Sequence, residues 1–415
     1  MMVRLNNFVS SYHPIVWWMI SATVLTKVTQ FMVFPFIALY MAYHTHASPA
    51  VIGLAVGMGA LTATLFGFVG GSLADKFGRK SMMAMSMVLS AGVMASFPSI
   101  HSVWAFFVLS GVNGLVRIMF QPASQAMLSD LTEPEGRGRV FAMNYWAINV
   151  GASIGPIIGG YFGTVATGWT FYITAVVDLL YAIIIMIVFP ETNTQLSHRR
   201  GQNGAPHFSF GLALKTVSRD KAFILFLLAG MLGGVGYAQI ETTLPQVMAQ
   251  LTDARHAAQT FSIVISSNAI EVVILQVFLA KLSRRIGIVR ALMLGQVLFT
   301  LGYVGISMSH VLWQYLLAMF VLTLGEIISF PVMGEYTSLL ATEELRGTYF
   351  GVSSISGLSF FVGPWIGGVI LHASSGMVLF LTAAGISFLA TPLYRLADKF
   401  RGQQMDPSGR ATLSS

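Results

Sequence analysis

Apolar stretches long enough to cross a membrane recur along the whole chain, and no other feature limits its fold as strongly. A helix needs about 20 apolar residues to cross a bilayer core of roughly 30 Å. Charged residues make up only 9% of the chain, against about 25% in a soluble domain. The sequence therefore predicts an all-α membrane protein with twelve transmembrane helices, at approximately 15–42, 50–73, 80–99, 103–129, 140–163, 168–189, 222–249, 258–281, 288–308, 311–338, 347–371 and 376–395.

The lysines and arginines lie almost entirely on one side of this topology. Of the 23, all except Arg255, Lys27 and Arg117 fall in the termini and the even-numbered loops. Positive charge is concentrated in cytoplasmic loops, so we expect both termini in the cytoplasm. This arrangement accounts for the net charge of +7 without a nucleic-acid partner.

The two halves of the chain resemble each other at an offset of 208 to 209 residues. "QPASQAML" (121–128) corresponds to "FPVMGEYT" (330–337), and "GASIGPIIGG" (151–160) corresponds to "LSFFVGPWIGG" (358–368). An internal repeat of this kind indicates two similar structural units. Transporters built from such repeats bind their substrate between the units, near the membrane midplane.

A long polar stretch separates the two copies and sets the predicted domain boundaries. It runs from Asn193 to Asp220 and contains several basic residues. We therefore predict two six-helix bundles in a pseudo-symmetric arrangement. The N-terminal bundle occupies 1–192, a cytoplasmic linker 193–220, and the C-terminal bundle 221–415.

Composition excludes several kinds of chemistry. The chain has no cysteine, which rules out disulfides, thiol catalysis and Cys-ligated metals. Its nine histidines are scattered, without the spacing of a metal site. It also has no G-x-x-x-x-G-K-[ST] phosphate loop. We therefore expect no enzyme activity, no metal, no cofactor and no ATP as the energy source.

The segment "GSLADKFGRK" (71–80) follows the second span. It resembles the loop signature G-x-L-a-D-r-x-G-r-k of the major facilitator superfamily, a family of twelve-helix transporters. In physical terms, glycines allow close helix contact and a tight turn, while the charges can form a latch at the cytoplasmic face. The resemblance implies a latch made of Gly71, Asp75, Gly78, Arg79 and Asp130. The alternative is a basic loop that only sets topology.

A second motif lies in the fifth span. "GASIGPIIGG" resembles the antiporter signature g-x-x-x-G-P-x-x-G-G of the same superfamily. Small residues at this spacing let helix backbones approach closely, and proline kinks a helix. The resemblance implies export by exchange against an inward-moving ion, with a hinge at Gly151, Gly155, Pro156, Gly159 and Gly160. Tight packing alone is the alternative.

Within the superfamily, the chain is most similar to the drug:proton antiporters, including the multidrug transporters of lactococci. The similarity lies in "NYWAINVGASIGPIIGG" (144–160), "QIETTLP" (239–245) and "TLGEIISFP" (323–331). It implies that Glu241 and Glu326 act in proton coupling and cation binding. The chain departs from the lactococcal members at Asn144, where an acid stands in the fifth helix. It departs from the family at Ser110, the usual position of an arginine in the fourth helix, although Arg117 follows seven residues later on nearly the same helical face. The family resemblance fits the inner membrane of a bacterium.

Ionisable residues inside membrane spans are costly and mark transport pathways or proton relays. Six such residues are candidates for proton coupling and substrate binding: Lys27, Arg117, Asp178, Glu241, Glu271 and Glu326. The resemblance implies that the first, fourth, seventh and tenth helices line the cavity. Tyr40, Tyr145, Trp146 and Tyr237 are further candidates for the cavity wall.

The repeat places Arg117 and Glu326 at equivalent positions, since their numbers differ by 209. We predict that they pair when the cavity is closed, and that separation of the halves favours proton uptake by Glu326. A static ion pair is the alternative. Asp178 either pairs with Lys27 or is a second proton site, and Glu271 belongs either to the cavity wall or to the scaffold.

These observations predict a proton-coupled exporter of lipophilic, cationic drugs or toxic compounds that works by alternating access as a monomer in the bilayer. The alternative is a dedicated exporter of a polar or anionic metabolite that binds Lys27 and Arg117. A membrane sensor or an intramembrane enzyme is disfavoured, because the sequence has no nucleophile–base pair, metal cluster or output domain.

Overall fold

The computed structural model describes residues 12–162, 167–192, 220–340, 349 and 352–405. This part of the chain forms twelve long helices. They are α1 (Pro14–Val33, resuming as Ile37–Thr45), α2 (Pro49–Phe77), α3 (Arg79–Ser96), α4 (Val103–Asp130), α5 (Arg137–Tyr161), α6 (Trp169–Val188), α7 (Lys221–Thr242, resuming as Leu244–Leu251), α8 (Ala254–Ile286), α9 (Ile288–Ser307), α10 (Leu312–Leu340), α11 (Ser359–Ala373) and α12 (Gly376–Met405).

Each predicted span overlaps one of these helices, which confirms the all-α membrane fold. Eleven helices in the described residues are long and apolar enough to cross a bilayer. The remaining one, α5, has 25 residues and is also long enough to cross. Its mean hydropathy is reduced by polar side chains such as Arg137, Arg139 and Asn144.

Prolines interrupt two of the helices that enter the centre of the bundle. A 3₁₀ turn, Phe34–Phe36, breaks α1 around Pro35. Residue Thr243 separates the two parts of α7, directly before Leu244 and Pro245. Proline lacks a backbone N–H and clashes with the preceding turn, which explains both breaks.

The helix contacts repeat from one half to the other. Helix α1 packs on α5 as α7 packs on α11, and α2 packs on α4 as α8 packs on α10. Equivalent prolines lie inside helices, at Pro122 and Pro331 and at Pro156 and Pro364. The internal repeat of the sequence is therefore visible as matching helix contacts. The division into domains stays a prediction, because the linker 193–220 lies outside the described residues except for Asp220.

Two helix pairs make the most extensive contacts between the halves among the described residues: α5 with α8, and α2 with α11. Both contacts depend on glycine. A Cβ atom at Gly160 would lie 2.6 Å from the carbonyl oxygen of Ala258, and one at Gly368 would lie 2.1 Å from that of Pro49. We call this end of the bundle the neutral end, and the end that carries Arg79 and Asp130 the basic end.

Buried apolar side chains from both halves close the neutral end. Phe36 and Leu39 of α1 share one core cluster with Leu244 of α7 and Phe261 of α8. The rings of Phe36 and Phe261 meet edge to face at 5.9 Å. The halves are thus sealed together at the neutral end.

Toward the basic end, side chains on facing helices are exposed instead. Tyr145 and Trp146 of α5 are 43% and 54% exposed, and Phe330 of α10 is 42% exposed. Tyr145 nevertheless interacts electrostatically with Glu326 of the other half. Tyr145 therefore faces the other half. Toward the basic end, the buried core clusters of the described residues each belong to one half only, so the halves are separated there by a space that opens toward the basic end.

Candidate substrate and proton site

Glu326 lies midway along α10 in a cluster of neutral polar groups. Its Oε2 atom accepts a hydrogen bond of 2.9 Å from the Asn268 amide of α8, and the Tyr237 hydroxyl of α7 donates to the same carboxylate. Asn268 also donates to Oγ1 of Thr323 at 2.9 Å. Among the described residues, Glu326 forms no salt bridge. Its charge is held by neutral donors only.

Glu271 adds a second carboxylate to this cluster. It lies within hydrogen-bonding range of Thr323 and interacts electrostatically with Glu326. Its Oε2 atom is buried and accepts no hydrogen bond from the described residues. Glu271 therefore borders the cluster, and its role in the cavity wall or in the scaffold stays a prediction.

Glu241 lies near the break in α7 and faces the other half. Its side chain is accessible to solvent although it lies deep within the protein. A residue that lines an internal cavity has both properties. Arg117 of α4 is its principal electrostatic partner. The two residues do not form a salt bridge, so a gap separates them.

The N-terminal half contributes two cations to this region. Arg117 is exposed, and Lys27 of α1 donates a hydrogen bond of 2.7 Å to Oε1 of Gln30. Lys27 and Arg117 interact electrostatically with each other. Neither forms a salt bridge with any described carboxylate. Four of the predicted site residues, Lys27, Arg117, Glu241 and Glu326, therefore lie around one space.

Asp178 does not line this space. Its side chain is completely buried in α6, where Oδ2 accepts a hydrogen bond of 2.6 Å from Ser90 of α3. Lys27 acts on it electrostatically without forming a salt bridge. In this conformation Asp178 is bonded to a neutral hydroxyl rather than paired with Lys27.

Two further expectations can be compared with the structure. Arg117 and Glu326 form no salt bridge in this conformation, because the halves are apart at their depth. Tyr40 was wrongly placed in the cavity wall. It is 2% exposed and packs against Phe106 and Phe171 inside the N-terminal half.

The region of the predicted latch contains an ion pair between Arg79 at the start of α3 and Asp130 at the end of α4. Gly78 has a φ angle of +89°, as a tight turn between α2 and α3 requires. The backbone of Gly71 and Asp75 is helical, but their surroundings lie outside the described part of the chain. The latch function stays a prediction.

Glu191, which sequence analysis did not identify, holds this turn from the other side. Its carboxylate accepts hydrogen bonds from the N–H groups of Arg79 at 2.9 Å and Lys80 at 3.2 Å. A carboxylate at a helix N-terminus stabilises the unpaired N–H groups there. No local sequence signal links Glu191 to α3, because it follows α6, more than a hundred residues away.

The predicted hinge packs α5 against α1. Cβ atoms at Gly151, Gly155 and Gly159 would lie 2.2 to 2.4 Å from atoms of Lys27, Val28 and Met32 respectively. Only glycine permits this approach. The glycine face also brings the backbone of α5 beside Lys27, so hinge and site are adjacent. Whether α5 bends during transport stays a prediction.

Smaller polar residues around the site were also not predicted. Thr323 accepts a hydrogen bond from Asn268, and Gln30 accepts one from Lys27. The Thr23 hydroxyl donates to Oδ1 of Asn144 at 3.0 Å. Thr and Gln are common in membrane helices, so a single sequence gives no reason to select them. Gln30 could have been found from the repeat, since Gln239 lies 209 residues later.

Comparison with protein families identifies the fold as that of a known group. The family model of the Major Facilitator Superfamily matches residues 19–355 and 247–410. The chain belongs to the major facilitator superfamily. It is therefore an integral membrane transporter, as the loop signature at 71–80 predicted.

Curated relatives are bacterial transporters of this superfamily. An uncharacterised member from Bacillus subtilis, YqjV, is 32% identical over 95% of each chain. A Na⁺, Li⁺, K⁺/H⁺ antiporter from Planococcus maritimus is 25% identical over 78% of this chain and 81% of its own. The multidrug resistance protein MdtH of Klebsiella pneumoniae is 26% identical over 83% and 82%.

Among solved structures, the nucleoside transporter NupG superposes with a TM-score of 0.79 at 14% identity, over 93% of this chain and all of its own. At this identity the likeness concerns the fold alone. The narrower resemblance to drug:proton antiporters and to their lactococcal members stays a prediction.

Proposed function

We propose that this transporter is a proton-coupled exporter of lipophilic, cationic compounds, with Glu326 as its central carboxylate. The observation that carries the proposal is the hydrogen bonding of Glu326 by Asn268 and Tyr237 without a cationic partner among the described residues. An unpaired charge away from water is costly. Such a carboxylate is stable when it binds either a proton or a substrate cation, and this competition is the basis of exchange.

Two further observations support the proposal. Relatives at 24 to 26% identity include proteins named as multidrug resistance proteins and as a cation/H⁺ antiporter. The exposed rings of Tyr145, Trp146 and Phe330 give the cavity an apolar surface, which suits lipophilic substrates. The seal at the neutral end and the opening at the basic end fit a state that takes up substrate from the cytoplasm.

The proposal includes the membrane arrangement: an inner-membrane monomer with both termini, and hence the basic end, in the cytoplasm. A cysteine introduced at exposed Thr252 should react with a membrane-impermeant maleimide in intact cells. One introduced at exposed Arg395 should not. The natural chain has no cysteine, so the labelling has no background, and the reverse pattern would overturn this orientation.

The direct test is proton-gradient-driven transport of ethidium, a fluorescent lipophilic cation, in proteoliposomes. The wild type should move ethidium against its gradient. Glu326→Gln should reduce the rate by at least about tenfold, which corresponds to about 1.4 kcal/mol. Glu335→Gln is the matched control, because Glu335 is an exposed carboxylate on the same helix outside the cluster. Folded wild type that leaves ethidium unmoved would contradict the proposal.

A second candidate function is export of a polar or anionic metabolite. It is favoured by the two cations Lys27 and Arg117, which have no carboxylate partner among the described residues. Under this alternative, ethidium would be ignored, and replacement of Arg117 would have a larger effect on transport than replacement of Glu326.

A further inference from the structure

The two halves present unpartnered charges of opposite sign to the same space. Arg117 of α4 and Glu241 of α7 are both exposed side chains at intramembrane positions. Each interacts with the other electrostatically, and neither has a hydrogen bond or salt bridge among the described residues. Intramembrane charges are normally paired with each other or with backbone groups. A pair that faces each other across a gap therefore indicates a binding site for a charged group on each side.

The cationic wall contains more than Arg117. Lys27 interacts electrostatically with Arg117, and its Nζ atom donates to the neutral Gln30 side chain. Two positive charges that face the same space repel a further cation. This wall therefore repels a ligand that carries only positive charge, and it attracts an anionic group.

The anionic wall has the same character with the sign reversed. Glu241 and Glu326 interact electrostatically, and the donors to Glu326 are the neutral Asn268 and Tyr237. This wall attracts a cation and repels a purely anionic ligand. Neither singly charged class of ligand therefore satisfies both walls.

We propose that the preferred substrate is a zwitterion whose anionic group binds Arg117 and Lys27 while its ammonium group binds Glu241 and Glu326. This inference rests on the proposed function only in taking the cavity as the transport site, and it goes beyond that function by putting zwitterions in place of lipophilic cations as the preferred substrate. Electrostatic complementarity of this kind provides specificity because each wrong charge meets a wall of like sign.

The middle of the space suits an apolar body between the two charged groups. Tyr145 and Trp146 are exposed on α5. The Tyr237 ring packs against the rings of Phe330 and Phe360 at 5.2 and 6.4 Å, and the latter two are themselves 42% and 38% exposed. The ligand class is thus an aromatic compound that carries both an amine and a carboxylate.

The test uses four forms of one ligand, 2-naphthylalanine: the free zwitterion, its amide (a cation), its N-acetyl derivative (an anion) and its N-acetyl amide (neutral). Binding to the purified full-length protein in detergent is measured by isothermal titration calorimetry. The zwitterion should bind at least about tenfold more tightly than each other form, equivalent to about 1.4 kcal/mol.

Single substitutions test which residue binds each charged group of the ligand. Arg117→Gln should lower the affinity for the zwitterion to that of the amide, and Glu241→Gln should lower it to that of the N-acetyl form. Arg117→Lys should keep the preference for the zwitterion, which separates loss of charge from loss of fold. Glu335→Gln, outside the site, should change none of the four affinities.

An amide that binds as tightly as the zwitterion, or equal or absent affinity for all four forms, overturns the zwitterion proposal. Ethidium transport is measured separately, so the two proposals can fail independently. Ethidium transport without zwitterion preference leaves the cation exporter standing alone. Zwitterion preference that depends on Arg117 and Glu241, without ethidium transport, supports this inference and removes lipophilic cations as substrates.

Discussion

The two six-helix halves share a scaffold but differ in the chemistry at their centre. Gly78 and Gly287 begin equivalent helices with φ angles of +89° and +87°, and Gly160 and Gly368 join the halves at equivalent contacts. At the same depth, however, Arg117 of one half corresponds to Glu326 of the other. Glycines that set backbone geometry occur in both copies, whereas the charged residues of the cavity differ: Arg117 corresponds to Glu326, and Lys27 and Glu241 correspond to the uncharged Gly236 and Met32.

This comparison separates what the fold requires from what transport requires. Replacement of a scaffold residue should change stability or conformation in the same direction in either half. The size of the change should depend on the atoms packed around that residue. A cavity residue should have an effect that its counterpart does not reproduce. The predictions below test this separation, from the largest expected effect to the smallest.

The contacts that join the halves should give the largest effect. Gly368→Leu and Gly160→Leu place side chains against the backbone of Pro49 and Ala258. Overpacking costs about 1–3 kcal/mol, so both should shift the population toward a state open at the neutral end, Gly368→Leu more strongly. Spin labels on cysteines at His46 and Thr252 would report the distance change.

Gly385→Leu is the control, because a Cβ there meets nothing within 4 Å. Unchanged distances in both glycine variants would contradict the claim that these glycine contacts keep the neutral end closed.

Each half also has an ion pair at the basic end, and these should differ in strength. The side chains of Arg79 and Asp130 are 7% and 24% exposed, whereas those of Arg401 and Asp398 are 28% and 38% exposed. We expect Asp130→Asn to cost about 1–3 kcal/mol of unfolding free energy, because the buried Arg79 loses its charged acceptor. Asp398→Asn should cost about 0–1 kcal/mol, as exposed pairs do. Denaturant unfolding in detergent checks this, and equal losses would show that burial does not set the difference.

The two glycine turns have the same backbone but different surroundings. Alanine at either position should cost about 1–3 kcal/mol, because this region of φ and ψ is essentially restricted to glycine. Gly78→Ala should cost more than Gly287→Ala, since its Cβ would lie 2.3 Å from Oε2 of Glu191, whereas nothing lies within 4 Å at Gly287.

Thermal unfolding of Gly78→Ala, Gly287→Ala and the double variant Gly78→Ala with Glu191→Ala measures this difference. Removal of Glu191 should relieve the additional strain at Gly78, although it also removes the cap of α3. An equal melting temperature for the two single variants would contradict a specific contact between Gly78 and Glu191.

The smallest effect concerns the start of α8. Asp253 caps this helix, and its acceptance of the His256 N–H lowers the pKa of its carboxyl group. A lowered pKa means that the stabilisation is present above the ordinary value of about 3.9 and is lost as the pH falls through the folded-state value. The Ser48 side chain, at the equivalent start of α2, forms no cap hydrogen bond.

Hydrogen exchange in the first turn of α8, compared between wild type and Asp253→Asn, tests this cap. The difference in protection should be constant above about pH 4 and should shrink below it. The first turn of α2 serves as an internal reference. A difference that persists unchanged to lower pH would show that the carboxylate charge is not the source of the protection.

The fold could be predicted because membrane spans have a strong signature. Length and apolar composition located all twelve helices, and the repeat offset located their symmetry. Boundaries were less accurate: α12 continues to Met405, ten residues beyond the predicted end, because a helix can continue past the apolar region where its charged residues meet water.

The site could be predicted only in part, because residue type does not give direction. The intramembrane charges were identified, but Asp178 is bonded within its own half, whereas Arg117 faces Glu241. Tyr40 and Tyr145 are both tyrosines near predicted cavity helices, yet only Tyr145 faces the space. The distance between the halves depends on the conformational state, which a single sequence does not contain.

The central claim is that substrate and proton compete for the Glu326 cluster, and proton release on substrate binding tests it most directly. Ethidium is added to purified protein in a weakly buffered solution, and the pH change is recorded. The account predicts that the wild type and Glu335→Gln release protons, and that Glu326→Gln binds ethidium with little or no release. A wild type that binds ethidium without releasing protons, or equal release by Glu326→Gln, would contradict it.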